Sequence, residues 1–146
     1  MSKRLIPNAY FYCAQGPPFQ IVASGAAGAV VRLDAAAYDF NRSVQITPVN
    51  TFTVYDSGLY LICARATFND LVGGYNTYLQ IRESFGGFTA LTYDLKRAVA
   101  GLQTGLSVTT IRYLPANYEL EMWVSQLSGG NVSLMNETSL MMVKLR

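Results

Sequence analysis

Carboxylates and thiols are the side chains of this sequence that could take part in catalysis or bind a metal. The chain of 146 residues contains no histidine, which is the commonest general base and metal ligand of enzymes. Its absence excludes Ser-His-Asp triads, Cys-His pairs and the HExxH zinc motif. The sequence also lacks a GxSxG elbow, a GxGxxG fingerprint and a phosphate-binding P-loop. We therefore predict no catalytic residue and no enzymatic activity.

The nearest approach to a catalytic carboxylate pair is formed by Glu119 and Glu121. They stand two positions apart in a strand-like segment, so they share one face at a separation of roughly 7 Å. Two carboxylates at such a distance could in principle hydrolyse a glycoside. Same-face carboxylates on an exposed strand are more typical of a solvated surface, and we predict neither catalysis nor a metal or cofactor here.

The two cysteines, Cys13 and Cys63, are 50 positions apart and form no CxxC pair. This spacing argues against a zinc ribbon and against a redox motif. The favoured interpretation is two buried thiols, and a disulfide between them is the alternative.

Short runs rich in Val, Ile, Thr, Tyr and Phe, separated by Gly, Asn, Asp, Ser and Pro, recur along the whole chain. This pattern is typical of an antiparallel β-sandwich, and no long helix is predicted. The predicted strands are Phe19–Ala23, Val30–Leu33, Thr51–Val54, Leu59–Phe68, Tyr75–Arg82, Thr89–Tyr93, Leu106–Tyr113, Tyr118–Leu127 and Ser139–Leu145. Together they predict one all-β domain over residues 19–146.

The composition is poor in charge for a solitary domain. Charged residues make up 14% of the chain and hydrophobic residues 51%, whereas about 25% charged is usual. In the strand at 59–68, Leu59, Leu61 and Cys63 share one face, while Tyr60 and Ile62 share the other. Because both faces are apolar, we expect this strand to be covered twice, once by the opposing sheet and once by another subunit.

Residues 1–18 differ from the rest of the chain and are predicted to form an extended N-terminal arm. Pro7, Pro17 and Pro18 favour an extended path. The arm is too apolar for a disordered tail, because it carries Leu5, Ile6, Tyr10, Phe11 and Tyr12, and Phe19 follows it. It packs either on its own domain or a sister subunit, or it docks onto a different protein.

The charge pattern and the length of the apolar runs exclude two classes of partner, nucleic acid and a spanned membrane. The formal charge is +2, from 11 basic and 9 acidic residues without a clustered Lys/Arg stretch, so nucleic acid is not an expected partner. No apolar run reaches the ~18 residues of a membrane span. The N-terminal segment also lacks the pattern of a secretion signal.

Three sequence blocks occur in a characteristic order. Phe52 precedes Gly58-Leu-Tyr60 by a short spacing, and the second block runs from Leu114 to Val124. The third block, from Ser139 to Leu145, is a closing hydrophobic strand. In this order the blocks resemble the tumour-necrosis-factor and complement-head jelly-roll superfamily, with coverage from about Phe19 to Leu145.

The resemblance implies a ten-strand, two-sheet antiparallel jelly-roll sandwich that packs as a homotrimer around a threefold axis. On this resemblance the axis-facing residues are Leu61, Cys63, Ile111, Tyr113, Met141 and Val143. The alternative is that they fill the core of the monomer. The sandwich core would be filled by Tyr60, Ile62, Val108, Leu120, Met122 and Val124. Trp123 would point outward as a candidate partner contact.

These observations predict a structural virion protein, specifically a trimeric bacteriophage capsid decoration or cement protein. Its expected partners are further copies of itself and a major capsid protein or another virion protein, reached by the N-terminal arm. We expect it in the virion, after synthesis in the host cytoplasm. The alternative is a receptor-binding module, either a phage fibre tip or a cytokine-like ligand, that uses its outer loops.

Overall fold

A computed structural model shows the arrangement of most of the chain. It describes residues 9–14, 19–33, 35–40, 44–46, 50–69, 73–83, 90–135 and 137–146. Every regular element within these ranges is a β-strand. No helix in the described ranges is long and apolar enough to cross a membrane.

The described residues form thirteen strands. They are β1 (Ala9–Ala14), β2 (Ile21–Val22), β3 (Gly25–Val30), β4 (Ala35–Phe40), β5 (Val44–Ile46), β6 (Thr51–Val54), β7 (Gly58–Asn69), β8 (Asn76–Glu83), β9 (Ala90–Arg97), β10 (Thr104–Leu114), β11 (Tyr118–Gln126), β12 (Val132–Leu134) and β13 (Ser139–Lys144).

The strands form two antiparallel sheets. The first has the order β2-β12-β7-β13-β1-β4, with β10 also paired to β7. The second has the order β5-β6-β11-β8-β9, with β3 also paired to β11. Neighbouring strands in each sheet are mostly distant in sequence, as in a jelly roll. This confirms the predicted all-β, two-sheet sandwich.

The hydrophobic core lies between the two sheets. Tyr60 and Ile62 of β7 and Met122 and Val124 of β11 are at most 1% exposed, because alternate residues of each strand point inward. All the predicted core residues are buried, namely Tyr60, Ile62, Val108, Leu120, Met122 and Val124. The inward faces of β7, β10 and β11 that the resemblance implied are therefore confirmed.

The N-terminal arm is the main departure from the predicted architecture. Residues 9–14 form β1, whose backbone pairs with β13 on one side and β4 on the other. Of the two alternatives for the arm, the described part follows the first, since it is a strand of its own domain. The boundary predicted after residue 18 therefore lies between two segments of the same sandwich. The remaining arm residues, 1–8 and 15–18, lie outside the described ranges.

Strand number also differs from the expectation. The resemblance implied ten strands, whereas the described ranges contain thirteen. Besides β1, β5 and β12, the segments Gly25–Val30 and Ala35–Phe40 were not predicted as whole strands. Both are rich in Ala or Gly, which have low β-propensity, so only their pairing with β11 and β1 makes them strands.

Candidate subunit interface

The outer face of the first sheet brings the predicted axis residues together. β7 lies between β10 and β13, and Leu61 of β7 is opposite both Ile111 of β10 and Val143 of β13. One row along, Cys63 is opposite Thr109 and Met141. In the row on the other side, Leu59 is opposite Tyr113. These rows form the apolar face, which consists of Leu59, Leu61, Cys63, Ile111, Tyr113, Met141 and Val143.

The apolar face points away from the core of its own chain. Tyr60 and Ile62 alternate with its β7 residues and are buried between the sheets, so Leu61 and Cys63 face outward. Ile111 is 55% exposed and Tyr113 is 65% exposed. The alternative that these two side chains fill the monomer core is therefore wrong.

The remaining predicted axis residues are covered to different degrees. Leu61, Cys63 and Met141 are half-buried. Val143 is 8% exposed, and its strand has paired neighbours on both sides. The open part of the apolar face is therefore on β10 and β7, and Val143 has little surface left to offer a partner.

The apolar face becomes polar at one end. Arg65 follows Cys63 on the outer side of β7 and is opposite Ser107 and Ser139. Arg65 and Ser107 are exposed. The apolar surface is therefore limited to the rows from Leu59 to Cys63.

A shallow hollow of about 410 Å³ lies at the other end of the apolar face and is lined by Ser57, Gly58, Leu59, Tyr113 and Arg146. The Leu59 N–H donates to the Arg146 carbonyl at 2.8 Å, and the Leu145 N–H donates to the Leu59 carbonyl at 2.7 Å. A side chain at Gly58 would approach the Arg146 oxygen to 2.6 Å. Glycine is therefore required where the last residues run beside the start of β7.

Two tyrosines fix the end of the sandwich near this hollow. The Tyr60 hydroxyl donates to the Asp56 carbonyl at 2.8 Å, and the Tyr118 hydroxyl donates to the Glu83 carboxylate. Desolvation raises the pKa of Tyr60 to about 12, with a smaller contribution from the Asp56 charge. Desolvation and then the Glu83 hydrogen bond raise the pKa of Tyr118 to about 12. Both hydroxyls therefore stay protonated at neutral pH and act as structural donors.

Side chains hold together the edge strands of the two sheets, β9 and β10. Asp94 Oδ2 accepts a hydrogen bond from the Ser107 N–H at 3.1 Å. Lys96 Nζ donates to the Gly105 carbonyl at 2.7 Å. These contacts close one side of the sandwich, because they link a strand of the second sheet to a strand of the first.

Exposed apolar side chains stand beside this closed edge. Tyr93 of β9 is 67% exposed and Leu95 is 46% exposed. Neither residue stands out in the sequence, because the alternation Leu91-Thr92-Tyr93-Asp94-Leu95 would place the apolar residues inward. The structure has the opposite orientation, since Asp94 and Thr92 are opposite the buried Leu79 and Ile81.

Trp123 lies on the outer face of the second sheet, as predicted, but its own chain covers much of it. The Arg82 guanidinium lies 3.9 Å from the centre of the indole, and Arg82 Nε is 3.3 Å from Glu121 Oε2. A side chain at Gly28 of β3, where φ is +58°, would come within 2.5 Å of the indole ring. Trp123 is half-buried, which leaves it a smaller contact surface than an exposed tryptophan.

Glu121 and the described thiol, Cys63, both contact side chains of their own chain. Glu121 is paired with Arg82, and the described residues include no group of three or more potential metal ligands. Cys63 is a free thiol, so it takes part in no disulfide. The interpretation of Cys63 as a buried thiol is corrected, because it lies half-buried on the apolar face, with Sγ 3.7 Å from Thr109 Oγ1.

The predicted partner-binding residues of the arm have three different outcomes in the structure. Tyr10, Phe11 and Tyr12 belong to β1, whose backbone is paired on both sides, so this segment is not a free arm. Phe19 is half-buried. Leu5 and Ile6 lie outside the described residues.

Comparison with known proteins gives a clear result for structure and none for sequence. No protein-family model matches the chain, and no curated protein matches it. Murine APRIL matches with a TM-score of 0.69 and 14% identity, over 93% of this chain and 98% of that chain. Eiger TNF from S. frugiperda matches with a TM-score of 0.67 and 17% identity, over 96% of this chain and 94% of that chain. PRD1 vertex protein P5 matches with a TM-score of 0.66 and 13% identity, over 96% and 99%.

These likenesses extend over nearly the whole of each chain at 13–17% identity. They confirm the fold that the three sequence blocks indicated, which is a jelly roll of the tumour-necrosis-factor type. The fold is shared by proteins whose names describe different roles, so it does not by itself assign one.

Proposed function

We propose that this chain is a non-enzymatic structural protein of a virion, that it acts as a homotrimer, and that it decorates or cements a viral shell. The observation that carries the proposal is the apolar face, with Ile111 at 55% and Tyr113 at 65% exposure. A face of this kind, on strands whose inner sides already fill a core, is typical of a surface that another subunit covers.

The energetics favour covering this face. Apolar surface removed from water contributes roughly 25 cal/mol per Å², and a stable interface buries about 800 Å² per partner. The β7, β10 and β13 rows supply aliphatic and aromatic side chains together, and Arg65 limits the apolar area at one end. A threefold arrangement of this face would turn it into a second, intermolecular core.

The chemistry of the chain supports a mechanical role. The sequence has no histidine, Glu121 is paired with Arg82, and the two tyrosines with a raised pKa hold the fold together. Neither tyrosine hydroxyl is poised to exchange a proton near neutral pH, because the pKa of each is raised.

The assignment to a shell is supported by the likeness to a protein named as a vertex protein, PRD1 P5. In this proposal the trimer contacts a major capsid protein or another virion protein. Because β1 is part of the sheet, the shell contact is assigned to Leu5 and Ile6 rather than to Tyr10, Phe11 and Tyr12.

Solution mass and shell binding test the proposal. Light scattering should give three times the 16.0 kDa chain mass. Purified shells that lack the protein should bind the added trimer and withstand a higher temperature than bare shells. The Leu5→Asp, Ile6→Asp double variant should stay trimeric and bind the shells more weakly. A monomer would contradict the trimer, and shells that gain no stability would contradict the cement role.

A receptor-binding module is the second candidate, favoured by exposed aliphatic side chains in the loops at one end of the sandwich. Val99 is 58% exposed, Leu102 is 60% exposed and Leu127 is 42% exposed. Tyr75, which lies in a loop at the same end, is 7% exposed and so offers little contact surface. A Leu102→Asp variant that binds shells normally but no longer attaches to host cells would favour this candidate.

A further inference from the structure

The polar end of the apolar face carries an arginine directly beside the apolar rows. Arg65 lies two residues beyond Cys63 on the outer side of β7. This strand is the central one of the face, because β10 and β13 pair with it on either side. Arg65 is also the first exposed residue along β7. A homotrimer built on the apolar face therefore brings this charge to the edge of the subunit contact.

Arg65 has no charged partner among the described residues, since no ion pair between them includes it. Asp94 reaches the same row, but its carboxylate is already engaged. Its Oδ2 accepts the Ser107 N–H at 3.1 Å and its Oδ1 accepts the Leu95 N–H at 2.9 Å. Glu137 is exposed in the turn that precedes β13. The guanidinium of Arg65 is therefore open to a ligand, with Glu137 as the carboxylate that could compete for it.

Hydroxyl groups flank Arg65 on both neighbouring strands. Ser107 of β10 and Ser139 of β13 are opposite Arg65 in the two strand registers. We call these three residues the polar row. Directly opposite residues have Cβ atoms about 4.5–5.5 Å apart, so one small ligand can reach side chains of neighbouring strands. Guanidinium and hydroxyl donors together are well suited to the oxygens of phosphate or sulfate.

The polar row is bounded on both sides along β7. On one side the apolar face begins at Cys63. On the other side Thr67 is 6% exposed, and the segment before β13 binds its backbone. The Thr67 N–H donates to Thr138 Oγ1 at 3.1 Å, and the Met135 N–H donates to the Thr67 carbonyl at 2.8 Å. The polar row is therefore a single band of donors between the apolar face and this segment.

A threefold axis repeats the polar row in every copy. Rotation carries each atom to equivalent positions at the same height and the same distance from the axis. In the proposed homotrimer the apolar faces of three copies surround the axis, so three Arg65 side chains stand around it at one level. Their charges repel one another, and the repulsion is stronger beside an apolar contact than in bulk water. An anion held at this level would remove the repulsion.

A tetrahedral oxyanion matches a ring of three arginines. Phosphate and sulfate, viewed along one bond to oxygen, present three equivalent oxygens, one for each copy. The planar guanidinium donates to such oxygens through a fork of N–H groups and stays charged at neutral pH. A carboxylate has only two oxygens, so it cannot accept equally from three copies.

We infer that the three polar rows of the homotrimer bind one tetrahedral oxyanion, phosphate or sulfate, on the threefold axis, with Arg65 as the main donor. The inference rests on the proposed homotrimer, since each chain supplies only a third of the site. The bound oxyanion joins the three copies through charge at the end of an interface whose other rows are apolar. The stability of the trimer therefore depends on the anion present.

Calorimetric titration of the full chain with inorganic phosphate tests the site. At low ionic strength, where screening is weak, we expect one phosphate bound for every three chains. Arg65→Gln should abolish binding. Arg65→Lys should bind more weakly, because it keeps the charge but loses the fork. Arg97→Gln is the matched control, since it changes an exposed arginine at the end of β9 and should leave binding unchanged. Sulfate should compete with phosphate, and chloride at equal ionic strength should not.

The stability of the trimer provides a second measurement, in which Arg65→Gln has effects of opposite sign. In buffer without phosphate or sulfate the variant trimer should be more stable than the unsubstituted one, because it lacks the repulsion. Phosphate at ten times its Kd should lower the dissociation constant of the unsubstituted trimer about tenfold. It should leave the Arg65→Gln trimer unchanged. Light scattering over a dilution series measures both effects.

The outcomes separate the oxyanion site from the homotrimer. One phosphate per chain, undiminished binding by Arg65→Gln, or a trimer indifferent to phosphate would overturn the axial site and leave the homotrimer in place. An Arg65→Gln trimer that is weaker without phosphate, an effect that Glu137→Gln reproduces, would mean that Arg65 pairs with a carboxylate of a neighbouring copy, which also overturns the site. A monomeric mass with and without phosphate would overturn both.

Discussion

The outer faces of the two sheets deal with apolar side chains in different ways. On the second sheet, Trp123 is half-buried beneath Arg82 and against Gly28 of the same chain. On the first sheet, Ile111 and Tyr113 are more than half exposed, and no described residue covers them to a similar degree. The aromatic side chain on the second sheet is covered within its own chain, whereas Ile111 and Tyr113 on the first sheet remain exposed.

The difference shows how two strands with similar sequence patterns can differ in role. Trp123 is flanked by Glu121, which pairs with Arg82, so the polar neighbours of the indole form its cover. The outer neighbours of Leu61 are Leu59 and Cys63, which offer no charge to recruit such a cover. Whether an outward apolar residue is covered within its own chain therefore depends on whether its same-face neighbours can bind a charged side chain that lies over it.

A charge on the first sheet should have the largest effect. Ile111→Glu would place a carboxylate in the proposed interface of every copy without a partner, at a cost of about 3–5 kcal/mol per chain. We expect a monomer by light scattering at micromolar concentration. Leu127→Glu is the matched control, since it changes an exposed aliphatic residue at 42% exposure away from the apolar face. If Ile111→Glu remains trimeric, the contrast between the two faces is wrong.

A methyl group added at Gly28, against the indole of Trp123, should have the next largest effect. Gly28→Ala adds a Cβ within 2.5 Å of the indole and still closer to the Val124 carbonyl oxygen, at a φ of +58°, and we expect a loss of about 2–4 kcal/mol from strain and overpacking. Gly129→Ala is the control, because φ is +84° there but nothing lies within 4 Å, so about 1 kcal/mol is expected. Chemical denaturation at a fixed protein concentration measures both. Equal losses would mean that the indole does not constrain position 28.

Removal of the indole should destabilise the folded chain without dissociating the proposed trimer. Trp123→Ala should cost about 2–3 kcal/mol, below the roughly 3–5 kcal/mol of a fully buried tryptophan, because the side chain is half-buried. Denaturation midpoint and slope report the loss, and light scattering should give the mass of the unsubstituted protein. A change of mass would place Trp123 in the subunit contact instead.

The smallest effect is expected for the guanidinium that covers the indole. Arg82→Lys keeps the charge but loses the planar stack on Trp123, and we expect a loss of about 0.5–1 kcal/mol. The same substitution in a Trp123→Ala background should cost less, because the stack is already absent. Identical losses in both backgrounds would show that Arg82 acts through Glu121 alone.

Much of the fold follows from the sequence pattern. In β7, β10 and β11 the resemblance together with the period-two alternation gave the inward residues, and all six predicted core positions are buried. The same alternation places Leu61 and Cys63 on one face of β7, whereas the full set of predicted axis residues came from the resemblance to the tumour-necrosis-factor superfamily. Their alignment in rows depends on strand register, which the pattern on one strand does not contain.

The position of β1 in the sheet and the orientation of β9 could not be predicted from their own residues. The apolar residues of β1 suited an arm that packs on its own domain or a sister subunit, or one that docks onto a different protein, and the outcome depends on the pairing of β1 with β13 and β4. In β9 the alternation pointed the wrong way. Asp94 faces inward because it accepts the Ser107 N–H across the edge of the sandwich, and this partner lies 13 residues along the chain.

The sequence by itself determined that this protein is an all-β sandwich, that its core is lined by alternate residues of β7, β10 and β11, and that it has no histidine-based chemistry. These properties depend on residue type and local periodicity, which act within a single strand. The tertiary structure decided which outward residues remain uncovered, which strand β1 joins and which way β9 faces. Those outcomes depend on pairing between distant segments, where a hydrogen bond or an ion pair from another strand outweighs the local pattern.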